Sequence, residues 1–140
     1  RVTVSGFASE ERLSLDASGA SKIDLDVSAG AVKMDVSGAS NVNGALSAGD
    51  VDISVSGASK VTLTGAGDDA RLEASGASRI DLSEFVAQNA DVEASGASRV
   101  IVNATGIIDV KASGASHVEY LGGARLERVD TSGASSVRAR

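Results

Sequence analysis

The tetrapeptide Ser-Gly-Ala-Ser occurs seven times in this chain of 140 residues, and its spacing constrains the fold more than any other feature. Successive copies begin 19, 19, 19, 20, 18 and 19 residues apart. A fixed period of about 20 residues is typical of stacked units, each of which contacts its neighbours along one axis. The copies begin at Ser18, Ser37, Ser56, Ser75, Ser95, Ser113 and Ser132. The sequence therefore predicts a solenoid.

Between the tetrapeptides, apolar and polar residues alternate with a period of two. The column three residues before each copy is apolar in every repeat, and it reads Leu15, Met34, Ile53, Leu72, Val92, Val110 and Val129. The next column is polar in every repeat, and it reads Asp16, Asp35, Ser54, Glu73, Glu93, Lys111 and Asp130. A helix would instead place apolar residues at i, i+3 and i+4. The pattern predicts an all-β fold, a single-stranded parallel β-helix of about seven rungs of about 19 residues.

Each rung is predicted to contain two short strands, joined by the Ser-Gly-Ala-Ser corner and by a second, looser corner. Because glycine and asparagine tolerate positive φ, we expect that conformation where the second corner carries Gly30, Gly49, Gly67, Gly106, Gly123 or Asn89. The longest rung has extra residues there, and its Phe85 and Val86 are expected to cover a side or edge of the stack. Right-handed winding follows from the general crossover preference, and a three-sided left-handed coil is the alternative.

The length predicts one domain covering residues 1–140. Residues 13–140 form the seven Ser-Gly-Ala-Ser rungs, and residues 1–12 form a partial N-terminal rung or cap, in which Val2 and Val4 alternate and Phe7 is available as a lid. Because the chain begins at Arg1 without methionine, we expect a processed mature form or an excised fragment, and the sequence leaves open whether an export signal was removed.

The invariant tetrapeptide predicts a structural corner ladder. Glycine supplies the corner dihedral angle, alanine fills a narrow space, and the second serine points inward to form a file of buried hydroxyls. The alternative is functional: small hydroxyl-bearing residues would present a flat surface to a repetitive ligand such as a glycan or an ice plane. The ladder consists of Gly19, Gly38, Gly57, Gly76, Gly96, Gly114 and Gly133 with Ser21, Ser40, Ser59, Ser78, Ser98, Ser116 and Ser135.

Composition argues against several classes of function. The net charge is −6 and no basic patch is concentrated anywhere, so nucleic acid is not an expected partner. No apolar run approaches the roughly 20 residues of a membrane span, and the chain has no cysteine. Charged columns continue along the whole stack, whereas a catalytic site should interrupt the repeat locally. The sequence predicts no catalytic residues and no cofactor.

No metal site is predicted either. Neighbouring carboxylates such as Glu73 and Glu93, or Asp68 and Asp69, could hold Ca²⁺ weakly, but an oxygen cage needs six or more ligands. The single histidine, His117, replaces lysine or arginine in an outward column and is predicted to be a surface residue.

In several repeats the Ser-Gly-Ala-Ser corner is followed by a basic residue, a β-branched residue and, two positions on, Leu, as in Ser-Lys-Val-Thr-Leu ending at Leu63. This repeated pattern resembles the autotransporter adhesin head GIN domain family, a DUF2807-type β-helix. The resemblance spans residues 13–140. It implies an exported or cell-surface β-helix located outside the cytoplasm, and it names no catalytic residues. We therefore expect a non-enzymatic module that binds or displays a cell-surface glycan or protein. The alternatives are a self-assembling filament subunit, which would associate through its ends or sides, and a polysaccharide-active enzyme.

Overall fold

The structure is a computed structural model that describes the backbone of residues 2–139 and the side chains of Thr3 and residues 12–139. Every regular element in this range is a β-strand. The nine strands are β1 (Val2–Ala17), β2 (Lys22–Val36), β3 (Asn41–Val55), β4 (Lys60–Ala74), β5 (Arg79–Ala94), β6 (Arg99–Ala112), β7 (His117–Leu121), β8 (Arg125–Thr131) and β9 (Ser136–Ala139).

All strand pairings are parallel, and each long strand is one turn of a solenoid of about seven turns. The register keeps each column of the repeat intact, so that Leu15, Met34, Ile53 and Leu72 follow one another up the stack. Because rungs lie about 4.8 Å apart, seven of them form a rod about 35 Å long. The predicted parallel β-helix is confirmed. Its interior is filled mainly by Val, Ile, Leu and Ala side chains, because alternate residues of each strand point inward.

The prediction of two strands per rung is wrong for the inner rungs. Strands β2 to β6 run without interruption from one Ser-Gly-Ala-Ser corner to the next, whereas the following rung is divided into β7 and β8, and β9 begins the next turn by pairing with β7. At the second corner, positive φ occurs at Gly65 and Gly122 and at none of the residues predicted to adopt it, namely Gly30, Gly49, Gly67, Asn89, Gly106 and Gly123. Extended backbone bends gradually there, with register shifts taking up the differences in length.

Phe85 also differs from its prediction, because it points into the core and does not cover a side or edge of the stack. Its side chain is 1% exposed, whereas that of Val86 is 38% exposed. Phe85 pairs in register with Gly65, and its ring lies against Gly67, where an added Cβ atom would approach the ring Cζ to 2.9 Å. The extra residue in this rung turns the aromatic ring inward, and the two glycines of the rung below leave room for it.

The two ends of the stack differ. Residues 2–17 form one continuous strand that pairs with β2, so residues 2–12 belong to a rung of the coil. Phe7 was predicted to act as a lid, but its side chain lies outside the described residues. At the other end, β8 pairs with β6 and β9 pairs with β7, and Val129 is 46% exposed.

Nowhere in residues 2–139 is there a helix with the length and apolar character needed to span a bilayer.

Candidate functional site

In the five inner corners the second serine points inward, and its hydroxyl lies within hydrogen-bond distance of two carbonyl oxygens. The second serine of the tetrapeptide is buried in the five inner corners, at Ser40, Ser59, Ser78, Ser98 and Ser116. In one of these, the Ser40 hydroxyl donates to the Ser37 carbonyl at 2.9 Å and to the Gly19 carbonyl of the preceding rung at 3.2 Å. Ser21 and Ser135, in the end corners, are half-buried. The inner hydroxyls are therefore committed to the fold and are not offered to a ligand.

The corner glycines adopt the conformation that the tetrapeptide requires. All seven have φ between +69° and +76°, in the left-handed region that disfavours residues with a Cβ atom. Each corner also stacks closely on the one below: the Ala39 amide donates to the Gly19 carbonyl at 2.8 Å, and the same contact recurs in the following rungs. Backbone conformation and close stacking together account for the repetition of glycine.

The alanine of the tetrapeptide does not fill a narrow space, as the sequence suggested. Ala39, Ala58, Ala77 and Ala97 are all exposed, as are their equivalents in the other corners. The turn formed by the positive-φ glycine directs the following side chain to solvent. Core packing therefore does not explain why this position is alanine in every repeat.

The serine ladder makes a testable contribution to stability. Replacing Ser78 by alanine removes its hydroxyl bonds to the carbonyls of Ser75 and Gly57, and we expect the free energy of unfolding to fall by about 1 kcal/mol. The matched control is Ser75→Ala in the same corner, because the Ser75 hydroxyl has no hydrogen-bond partner among the described residues. That control should change stability by less than about 0.5 kcal/mol. Urea unfolding of both variants measures the difference, and equal values would contradict the role given to the inner hydroxyl.

A groove runs along one side of the rod, where the chain bends at the second corner. Its volume is about 420 Å³. The first wall is a column of outward residues, Ala31, Asp50, Asp69, Asn89 and Ile107. The second wall is the outward column two residues further along each strand, Asp52, Arg71, Asp91 and Asp109. The floor is the column between them, Val32, Val51, Ala70 and Ala90, and Arg12 lies at the N-terminal end. We call this feature the side groove.

Most charged groups of the side groove have no partner. On the first wall, the Asn89 amide donates to the Asp69 carboxylate at 2.9 Å, and the Asn89 side-chain oxygen accepts from the Ile107 amide at 3.3 Å. On the second wall, the side chains of Asp52, Arg71 and Asp91 form neither a hydrogen bond nor an ion pair with any described residue. The groove is therefore open, has charged side chains on both walls beside apolar ones such as Ile107, and is only partly organised by its own contacts.

Asp109 has the most unusual environment of these carboxylates. Its Oδ1 atom is shielded from solvent and has no hydrogen-bond partner in the part of the chain that the structure describes. The residue lies next to a register shift between β6 and β8, one rung from the open end. A buried acceptor without a donor is costly, and because this oxygen has almost no accessible surface, a ligand in the open groove does not reach it.

Sequence reasoning missed the side groove. The walls are two ordinary-looking outward columns, and only the bend between them brings them to face each other. The one available signal was the density of aspartate after the second corner, at Asp50, Asp52, Asp69, Asp91 and Asp109. Asp69 was predicted only as half of a weak calcium-binding pair with Asp68.

The other sequence-derived candidates lie elsewhere. Glu73 and Glu93 are register neighbours in the column before the Ser-Gly-Ala-Ser corner, and Asp68 is exposed beside the groove. Across residues 12–139, no three His, Cys, Asp or Glu side chains are grouped so that they could hold a metal ion. His117 is exposed, and its Nδ1 atom lies 3.3 Å from the Ala115 carbonyl oxygen.

The fold defines this protein as a parallel β-solenoid. Residues 2–124 match the family described as "Putative auto-transporter adhesin, head GIN domain" (DUF2807), so the chain belongs to that family. The resemblance seen in the sequence is thereby confirmed, and the family description suggests an adhesin-like surface protein.

A crystal structure from Parabacteroides distasonis ATCC 8503, described as a "Putative lipid binding protein", is similar to this chain with a TM-score of 0.82 and 19% sequence identity. The similarity covers 99% of this chain and 60% of the other, so this chain spans well under two thirds of that protein. At this identity the likeness shows a shared fold. Comparison with curated proteins gave no match.

Proposed function

We propose that this protein is a non-enzymatic, exported surface module that binds glycan through the side groove. The observation that carries the proposal is the groove itself, in which two polar walls face each other across a rigid floor. Hydroxyl-rich ligands are recognised by carboxylate and amide side chains held in fixed positions. Asp69 and Asn89, which are hydrogen-bonded to each other, are a pair of this kind. The adhesin-like description of the family supports a location outside the cytoplasm.

The rigid scaffold supports a binding role. The two walls lie two residues apart on the same strands, and parallel ladders hold those strands in register, so the backbone fixes the spacing of the groove. Preorganised sites lose little conformational entropy on binding. The corner ladder, in contrast, offers no free inner hydroxyls, so the groove replaces it as the candidate ligand surface.

Catalysis is the less favoured function for the same groove. Glycoside hydrolysis needs one carboxyl group that stays protonated and a second that stays ionised, and enzymes achieve this by giving the two groups different environments. Asp50, Asp69 and Asp91 are all exposed, and no polar contact distinguishes Asp50 from Asp91 among the described residues. Asp109, with one shielded oxygen, is the carboxylate whose environment differs, and this difference does not by itself make a catalytic pair. Lipid binding, the description of the Parabacteroides protein, would suit an enclosed apolar cavity, whereas this groove is open and carries charged groups on both walls beside its apolar side chains.

The second candidate function is self-assembly into a filament. It is favoured by the parallel ladders, because each rung presents backbone groups with which a further rung can pair. An unpaired strand edge with apolar side chains can accept another rung. A second copy stacked there would continue the solenoid.

Co-sedimentation with insoluble polysaccharides, followed by assay of released sugars, tests the proposal. We expect the protein to pellet with at least one polymer without releasing sugar. Asp91→Arg, which places a bulky cation on the groove wall, should abolish pelleting, and the control Glu73→Arg, outside the groove, should not. Release of sugar would instead identify an enzyme. No pelleting with any polymer, together with large species in sedimentation velocity, would replace the proposal by the filament function.

A further inference from the structure

We propose that the side groove binds a neutral, extended β-1,4-linked glycan that lies parallel to the rod axis, one sugar to each rung; this inference rests on the proposed glycan-binding function. The length and the repeat of the groove carry it. The lining comes from six consecutive strands, β1 to β6. Because rungs lie about 4.8 Å apart, this lining extends for about 24 Å along the axis. A long, straight groove of this kind suits a linear polymer.

The lining repeats from rung to rung. In each of the strands β3 to β5 one polar side chain lies on each wall, as with Asp50 and Asp52 in β3 and with Asn89 and Asp91 in β5. The register sets each of these positions beside its equivalent in the next rung. A ligand whose polar groups recur at the rung spacing therefore makes the same contacts in successive rungs. A ligand with a different repeat loses them after one or two rungs.

A β-1,4-linked hexopyranose chain has a matching repeat. In its extended form it advances by one sugar over nearly the same distance as the rung spacing, about 4.8 Å. Successive sugars are turned over, so both edges of the ribbon carry hydroxyl groups, which suits polar side chains on both walls. The ribbon is flat. The floor residues Val51, Ala70 and Ala90 are turned into the core, so their side chains do not obstruct it.

Three other kinds of chain fit this groove less well. An extended peptide advances by about 3.3 Å per residue, so its side chains fall out of step with rungs about 4.8 Å apart. An α-1,4-linked glucan coils, so its successive sugars turn away from a straight groove. A polyanionic glycan is repelled, because the lining contains five aspartates and two arginines.

Isothermal titration calorimetry with hexasaccharides tests the linkage. The β-1,4-linked probes are cellohexaose, mannohexaose and chitohexaose; the controls are α-1,4-linked maltohexaose, a β-1,4-linked mannuronate hexamer and oligolysine. We expect at least one β-1,4-linked probe to bind tighter than maltohexaose by about tenfold or more, independently of salt because it is neutral. Its affinity should rise with each added sugar up to about five, the number that a lining about 24 Å long accommodates, and then level off. The mannuronate hexamer should not bind.

A double variant tests the contribution of the walls. Asp50→Ala with Asp91→Ala removes one polar side chain from each wall and should lower the affinity for that probe by about fivefold or more. The matched control, Glu73→Ala with Glu93→Ala, removes two carboxylates outside the groove lining and should bind normally. All four side chains are exposed, so the melting temperatures of both variants should stay close to that of the parent.

The outcomes separate this inference from the proposed function. Maltohexaose binding as tightly as the best β-1,4-linked probe, affinity that levels off at two sugars, or tighter binding of oligolysine would overturn the extended-glycan inference alone. Failure of every hexasaccharide to bind, while the protein still pellets with a polysaccharide, would do the same. Binding of none of the probes, with no pelleting on any polysaccharide, would overturn the proposed function as well.

Discussion

Replacing Gly76 by alanine should lower the free energy of unfolding by about 3 kcal/mol or more. Two effects combine at this residue. Its φ is +72°, a conformation that costs a residue with a Cβ atom about 1–2 kcal/mol. In addition, a Cβ atom would lie 2.7 Å from the Gly57 carbonyl oxygen of the rung below, and this backbone atom cannot move without disturbing the ladder. Thermal and urea unfolding measure the loss.

Gly19 provides the matched control for the stacking contribution. Its φ is +71°, almost the same as that of Gly76, but a Cβ atom there would meet nothing within 4 Å. Gly19→Ala should therefore cost only the conformational part, about 1–2 kcal/mol. Gly76→Val should be worse than Gly76→Ala, and Glu73→Ala, on a solvated column, should change stability by less than about 0.5 kcal/mol. Equal melting temperatures for Gly76→Ala and Gly19→Ala would show that corner stacking is not tight.

Replacing Phe85 by alanine should cost about 3–5 kcal/mol, because it empties the largest fully buried side-chain position in the described core. The rung below cannot fill the space, since it contributes Gly65 and Gly67 there. The neighbouring substitution Val86→Ala is the control. Val86 is largely on the surface, so its truncation should cost less than about 1 kcal/mol. Similar losses for the two variants would mean that Phe85 does not fill the coil.

A double-mutant cycle tests the contact between Phe85 and Gly67 directly. In the parent, a Cβ atom at position 67 would lie 2.9 Å from the Phe85 ring, so Gly67→Ala should be destabilising. In the Phe85→Ala background the ring is absent, and much of that cost should disappear. A cost that is unchanged between the two backgrounds would assign the strain at Gly67 to the Ala48 carbonyl instead, which lies 3.1 Å from the same Cβ position.

The repeat made the fold predictable because stacking brings each residue next to its own equivalents. Met34 meets Leu15 and Ile53, so the column that the sequence shows is also the contact that the structure makes. The inward direction of Ser78 followed from continuing the alternation through the corner, and the structure buries that residue. The positive φ of Gly76 followed from the need for a tight corner. These inferences needed only local conformation and the rung length.

What the sequence alone determined about this protein is thus its organisation along the rod axis: the number of rungs, the columns, and the glycine and serine corner. What only the tertiary structure decided is the arrangement across each rung. Whether the columns of Asp69 and Asp91 line one groove, whether Phe85 points inward, and whether the strand breaks at the second corner all depend on how the backbone bends between the tetrapeptides. That bend is set by residues that differ from rung to rung, such as Gly65 and the inserted residues near Phe85. A repeat specifies which residues stack, and the angles between the sides of the coil specify which columns meet.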